Sequence, residues 1–119
     1  MDASRRHLVR PPGGLEEAVH QLTEVPRRVV GLRERGRVAK GWWADLVVFD
    51  SETVQPGPVH VRADLPGEAR RLFAEASGIE HVLVNGIEVV AAGRLTGECP
   101  GRTLRSGRDT ETISASSLA

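Results

Sequence analysis

The spacing of apolar residues changes period along the chain. Leu15, Ala18, Val19 and Leu22 recur at three- and four-residue intervals, which is the spacing of one face of an α-helix. Glu16 and Glu17 put negative charge in its first turn, where the helix dipole favours it. Pro26 cannot continue that helix but suits the opening position of another. Val29, Val30 and Leu32 then give the second helix its apolar side, with Gly31 near its end. The pattern predicts two short helices in tandem over residues 15–32.

Beyond Arg33 the period is lost in a turn-rich basic stretch, "RERGRVAKG", and then an apolar run appears in "ADLVVFD". Leu46, Val47, Val48 and Phe49 show no polar alternation, so this strand is expected to be covered on both faces. In "IEHVLVNGIEVVAAG" two strand-like runs flank Asn85-Gly86, a pair that tolerates the positive φ angles of a type I′ hairpin turn. Ile79, His81 and Leu83 would share one face, and Glu80, Val82 and Val84 the other.

Between these strands the pattern is mixed. Val59-His60-Val61 reads as a short strand, while Ala69, Leu72, Phe73 and Ala76 have helical spacing with Gly78 placed as a stop, and a helix is expected there. Residues 1–14 are expected to be an irregular lead-in, because Pro11, Pro12, Gly13 and Gly14 oppose regular structure. Residues 106–119 are polar, small and aperiodic, and are expected to be a mobile tail. No internal repeat is present.

Composition narrows the picture. At 119 residues the chain is at most one domain. Charge cancels overall but not locally: residues 1–40 carry nine Lys/Arg against five Asp/Glu, and residues 41–119 carry seven against eleven. The basic stretch lacks the aromatic interleaving of a nucleic-acid surface, so a solvated face is the reading and no nucleic-acid partner is expected. One cysteine, Cys99, allows no internal disulfide, which fits a reducing compartment. No apolar run reaches membrane-spanning length and "MDASRRHLVRPPGG" has no apolar signal core. A soluble cytoplasmic protein without a membrane partner is expected.

The series "LEEAVHQLTEVPRRVVGLRERGRVAKGWWADLVVFDSETV", followed by "GIEHVLVNGIEVVAAGRLTGECPGRTLR", resembles the C-terminal end of the amidohydrolase superfamily, in its N-acyl-D-amino-acid deacylase (D-aminoacylase) branch. The helix opening, the GL-x-x-RG turn, the ADLVVFD strand, the VNG hairpin and the TG-x-x-PGR-x-LR ending stand in family order from Leu15 to Arg105. The resemblance implies a metal-dependent (β/α)8 barrel flanked by a small β-sandwich built from both chain ends. Residues 15–32 would then be helices packing on a barrel absent from this chain, and residues 33–105 a partial β-sandwich. The expected fold class is α+β: two short N-terminal helices, then an incomplete sandwich, without the barrel. Asp45 to Asp50 would be an inner sandwich strand, paired partly with strands from an N-terminal segment.

The same resemblance implies the chemistry. In such enzymes a zinc-bound water attacks the amide carbonyl and a barrel aspartate moves the proton. The positions that do this would lie upstream of Leu15, so no catalytic, cofactor-binding or metal-ligating residue is carried over, and zinc belongs to the full-length family rather than to this chain. The residues themselves agree with that expectation. His7, His20, His60 and His81 lack the close spacing of a zinc motif and read as ordinary structural histidines. Cys99, in "GECPGR", has no base or helix N-terminus beside it to activate a thiol, and the family's ligand cysteine belongs to the barrel. The glycines of "GRLTGECPGR" precede no helix that would cradle a phosphate and read as turns. Trp42 and Trp43 depart from the small or unbranched residues usual in this turn. Two readings stand for them: packing on the chain's own helices, or an interface with a missing domain or a second copy.

Two functions follow. One is the sandwich portion of a deacylase that hydrolyses a non-peptide C–N amide bond, inactive alone and completed by a separately encoded barrel. The other is a free-standing module that binds a partner strand, or a second copy of itself, along an open sheet edge.

Overall fold

A computed structural model describes residues 13–114 and 116. The chain is α+β and divides into two units, one formed by its described residues up to Trp43 together with those from Thr103 onward, the other by Ala44–Arg102. No barrel is present among the described residues.

The first unit opens with α1 (Gly14–Leu22) and α2 (Glu24–Val30), which meet at Thr23. Thr23 leaves helical geometry at φ −123°, ψ −77°. Its hydroxyl donates to the Val19 carbonyl at 2.7 Å, and its own carbonyl accepts the Arg27 N–H at 3.2 Å. Pro26 stands third in α2 rather than first; its missing N–H is still harmless, because the first four amides of a helix have no partner within it. Gly31 ends α2 at φ 74°, ψ 24°. The Leu32 N–H returns to the Arg27 carbonyl at 3.0 Å and the Gly31 N–H to Arg28 at 3.3 Å, the paired bonds of a Schellman stop.

Part of the segment expected as a tail is hydrogen-bonded to this stop. Glu111 N–H donates to the Gly31 carbonyl at 2.9 Å, Arg33 N–H donates to the Asp109 carbonyl at 3.0 Å, and Leu32 and Thr110 form an antiparallel bridge. A Cβ on Gly31 would lie 2.3 Å from the Glu111 carbonyl oxygen, so this approach and the positive φ both require glycine.

The second unit holds a four-stranded antiparallel sheet in the order β1-β6-β7-β8, where β1 is Leu46–Phe49, β6 Ile79–Val84, β7 Ile87–Ala91 and β8 Arg94–Leu95. Leu46 pairs with Leu83 and Val48 with His81. Asn85 (φ 51°) and Gly86 (φ 79°) make the β6–β7 turn that their chemistry predicts. A second two-residue turn, Ala92 (φ 48°) and Gly93 (φ 73°), adds β8, which the periodicity did not indicate.

Between β1 and β6 the chain forms a ribbon of two short antiparallel pairs: β2 (Gln55–Pro56) with β5 (Ala76–Ser77), and β3 (His60–Arg62) with β4 (Arg71–Phe73). The helix expected around residues 69–76 is therefore replaced by strands. Pro66 holds Leu65 extended (ψ 161°), Gly67 and Glu68 take positive φ, and Ala69 is again extended at ψ 137°. Only one 3-10 turn forms, at Pro66–Glu68, and no α-helix continues from it, whereas residues 60–62 offer a ready ladder. Gly78, read as a helix stop, turns the ribbon into β6 at φ 75°; a Cβ there would lie 2.5 Å from the Val54 nitrogen.

No apolar side chain among the described residues is fully buried. The strand expected to be covered on both faces is open: Val47 and Val48 are 54% and 51% exposed, and β1 lies at the edge of its sheet. Leu22, Val29 and Val30 of the helices are exposed as well. The elements are formed, but the described chain does not supply the second layer that their apolar faces call for.

Candidate functional site

The residues that stand out in sequence fall into three local clusters and a fourth group of scattered side chains. The first is the turn after α2. Arg35 is the most buried charged residue described, 9% exposed, and its guanidinium lies 5.1 Å from the Trp43 ring centroid. Arg27, from α2, lies 5.2 Å from the Trp42 centroid and donates through its terminal nitrogen to the Leu32 carbonyl at 3.0 Å. Trp42 and Trp43 are held by main-chain bonds to Ala39 (3.1 Å) and Glu34 (3.0 Å). Each indole thus meets a guanidinium, an electrostatic contact between a cation and an aromatic face; Trp43 remains 37% exposed. Of the two readings of the tryptophans, packing on the chain's own helix describes Trp42. Gly36, at φ 75°, is wedged so that a Cβ would stand 2.9 Å from Arg27 Cβ. The GL-x-x-RG motif is a wound turn: a helix stop, a buried cation and a close-packed glycine.

The second place is the end of the β6–β7 hairpin. Asp45 Oδ1 accepts the Asn85 N–H at 2.9 Å, and Ala44 accepts the Gly86 N–H at 3.0 Å. The Asn85 side-chain amide donates to the Pro100 carbonyl at 2.8 Å. One turn residue therefore ties together the strand motif, the VNG hairpin and the PGR ending. At the other end of β1, Asp50 Oδ1 accepts the Glu52 N–H at 2.8 Å. That bond first, and the Thr53 hydroxyl second, hold the Asp50 carboxyl below its ordinary pKa of 3.8. Both aspartates of "ADLVVFD" act as turn acceptors, a role that the sequence reading did not assign.

The third place is the ribbon. Arg71 grips Asp64 through two bonds of 2.7 Å, which hold the Asp64 carboxyl low and the Arg71 guanidinium high. Arg62 donates to Glu75 at 2.6 Å, and His60 stands 3.7 Å from the same carboxylate. Arg62 and Arg71 both lie over the Phe73 ring, 3.8 and 4.9 Å from its centroid, and His60 meets its edge.

The fourth is a set of isolated donors. His20 pairs with Glu24 at 3.7 Å, and His81 with Glu88 across β6–β7 at 2.5 Å. Cys99 is exposed, its thiol near only the Gly97 carbonyl at 3.8 Å. His7 lies outside the described residues. The zinc that the family resemblance implies needs three or four converging donors, and among the described residues no group of three His, Cys, Asp or Glu side chains converges. The described donors do not fit a zinc centre. Nor is any described helix long and apolar enough to cross a membrane.

Comparison with known proteins covers about three quarters of the chain. The amidohydrolase family matches residues 3–90. The chain is 46% identical over 91 residues to the N-acyl-D-glutamate deacylase of Alcaligenes xylosoxydans xylosoxydans, an alignment covering 76% of this chain. It is 34% identical over 98 residues to the N-acyl-D-aspartate deacylase and 38% identical over 90 residues to the D-aminoacylase of the same organism, covering 78% and 76% of this chain. In each case the chain spans 17% of the relative's length. No solved structure matches it.

Proposed function

The chain belongs to the amidohydrolase family, in its D-aminoacylase branch, and from that premise we propose that it is the C-terminal β-sandwich portion of an N-acyl-D-amino-acid deacylase-like enzyme. In the completed enzyme the reaction is hydrolysis of a non-peptide C–N amide bond. The metal ligands and the proton-moving carboxylate come from a barrel on another segment or polypeptide, and this chain by itself is inactive. Its part is to support that barrel, in the cytoplasm.

The observation that carries this reading is the absence of any fully buried apolar side chain among the described residues, beside well-formed elements with open apolar faces. Fully covering one valine or leucine contributes about 1.5–3 kcal/mol, so leaving β1, α1 and α2 open forgoes much of what such elements ordinarily supply. A companion layer restores it. The locks around Asp45, Asn85 and Pro100 present a preshaped surface of the second unit to that layer.

The test is a chimera in which this chain replaces the matching segment of the N-acyl-D-glutamate deacylase. The chimera is expected to fold and release D-glutamate, while this chain alone, supplied with zinc, releases none. A chimera that never folds would sink the reading.

The second reading, a free-standing module that pairs a strand or a second copy along β1, draws on one specific feature: β1 is an edge strand with no proline or lysine to protect it. Gel filtration separates the two readings. A sharp monomer or dimer peak favours the module, and aggregation favours the uncompleted portion.

A further inference from the structure

The ribbon between β1 and β6 has two unlike faces. Strand register places His60 and Arg62 on one face with Phe73 and Arg71 opposite them, and Val61 with Leu72 on the other. The charged face is satisfied internally: Arg71 is paired with Asp64, Arg62 with Glu75, and both guanidiniums cover the Phe73 ring. The apolar face has no such closure. Val61 is 57% exposed, Leu72 73%, and Val59, just before the strand, 67%. Neither β3 nor β4 joins the four-stranded sheet, and a lone two-stranded ribbon is marginal in water unless something packs on it.

The size of this face decides what can cover it. At roughly 60–120 Å² for each aliphatic side chain, the three expose a few hundred square ångströms at most. That is well below the about 800 Å² per partner that holds two separate molecules together. A second copy docking here alone would not stay. The face fits a surface already held beside it by other contacts, for which no further association entropy is due. Arg62 and Arg71 lie on the far face and are paired there, so the three aliphatic side chains themselves call for an apolar counterpart.

We propose that Val59, Val61 and Leu72 dock on an apolar patch of the barrel-bearing polypeptide, so that the ribbon is an arm clasping the rest of the enzyme; this rests on the deacylase reading above. The arm carries its own reporter, because Arg62, Arg70 and Arg71 are trypsin sites within it.

Limited trypsin digestion of the full chain and of the chimera tests the proposal. Cleavage after Arg70 and Arg71 is expected to be at least about tenfold slower in the chimera than in the free chain, because a docked ribbon opens less often. Leu72→Asp in the chimera should return cleavage towards the free-chain rate. Leu72→Ala, which adds no charge, should do so in part, and the deacylation rate certifies that each variant is folded. An active chimera whose arm is cut as fast as the free chain overturns the arm and leaves the deacylase reading standing. An active chimera whose protected arm ignores Leu72→Asp overturns the docking face. A chimera that does not fold removes the deacylase reading, and the arm with it.

Discussion

Two hairpins in the same unit follow opposite logic. The β6–β7 hairpin is closed by Asn85 and Gly86, residues that accept positive φ, and it is flanked by β1 and β8 on its outer edges. The β3–β4 ribbon is closed by Pro66, Gly67 and Glu68, has no flanking strand, and gains its order from the Arg71–Asp64 and Arg62–Glu75 pairs. The first is specified by turn chemistry and supported by neighbours within the chain. The second is held by exposed ion pairs, which contribute little in water. An element can thus have a clean ladder and still lack the packing that makes it durable.

The sharpest way to break the contrast is at the residue that joins the two. Gly78→Ala puts a Cβ within 2.5 Å of the Val54 nitrogen at a φ of 75°, and the strain of a left-handed alanine adds to the backbone clash, for a cost of more than about 2 kcal/mol. Amide exchange should accelerate in β2–β5 first and then along β6. Unchanged exchange at both would mean that the ribbon and the sheet are not coupled through this turn.

A smaller effect is expected at the lock on the better hairpin. Asp45→Ala removes the acceptor of the Asn85 N–H and should cost about 1 kcal/mol. The Asn85 amide should lose protection while the Gly86 amide, bonded to the Ala44 main chain, keeps most of its own. Equal loss at both would show that the side chain positions the whole turn.

The smallest effect belongs to the ribbon. The Asp64 carboxyl is held below its ordinary pKa of 3.8, by Arg71 first. A carboxyl with a depressed folded pKa contributes stability that is fully present above the unfolded value and is lost as pH falls through the folded one. Order in β3–β4, read from its amide shifts, should therefore hold from neutral pH down to about pH 4 and fade below it. Asp64→Asn should flatten that dependence without touching β6–β7. Because the pair is exposed, the change should be slight and should shrink further in high salt.

These contrasts mark what was legible in the residues. Leu46–Phe49 and the two runs around Asn85-Gly86 were readable as strands because the signal is local. Ala69, Leu72, Phe73 and Ala76 misled because four apolar positions at helical spacing form no helix when Gly67 and Glu68 hold positive φ just before them and a strand stands opposite. The roles of Arg35, Asp45 and Asp50 were hidden because each depends on a partner distant in sequence or on a turn that only the folded backbone makes.

Local residue chemistry settles where the backbone must bend and which family the chain joins: Gly31 stopping α2, Asn85-Gly86 closing a hairpin, and five motifs in order from Leu15 to Arg105. Those are properties of single residues and short spacings, set by which φ angles a residue tolerates. Folding in three dimensions is what makes residues 71–73 extend rather than coil, leaves β1 at a sheet edge with Val47 and Val48 in the open, and brings each tryptophan to an arginine. These depend on what lies across from a segment, and pairing and burial belong to two surfaces at once.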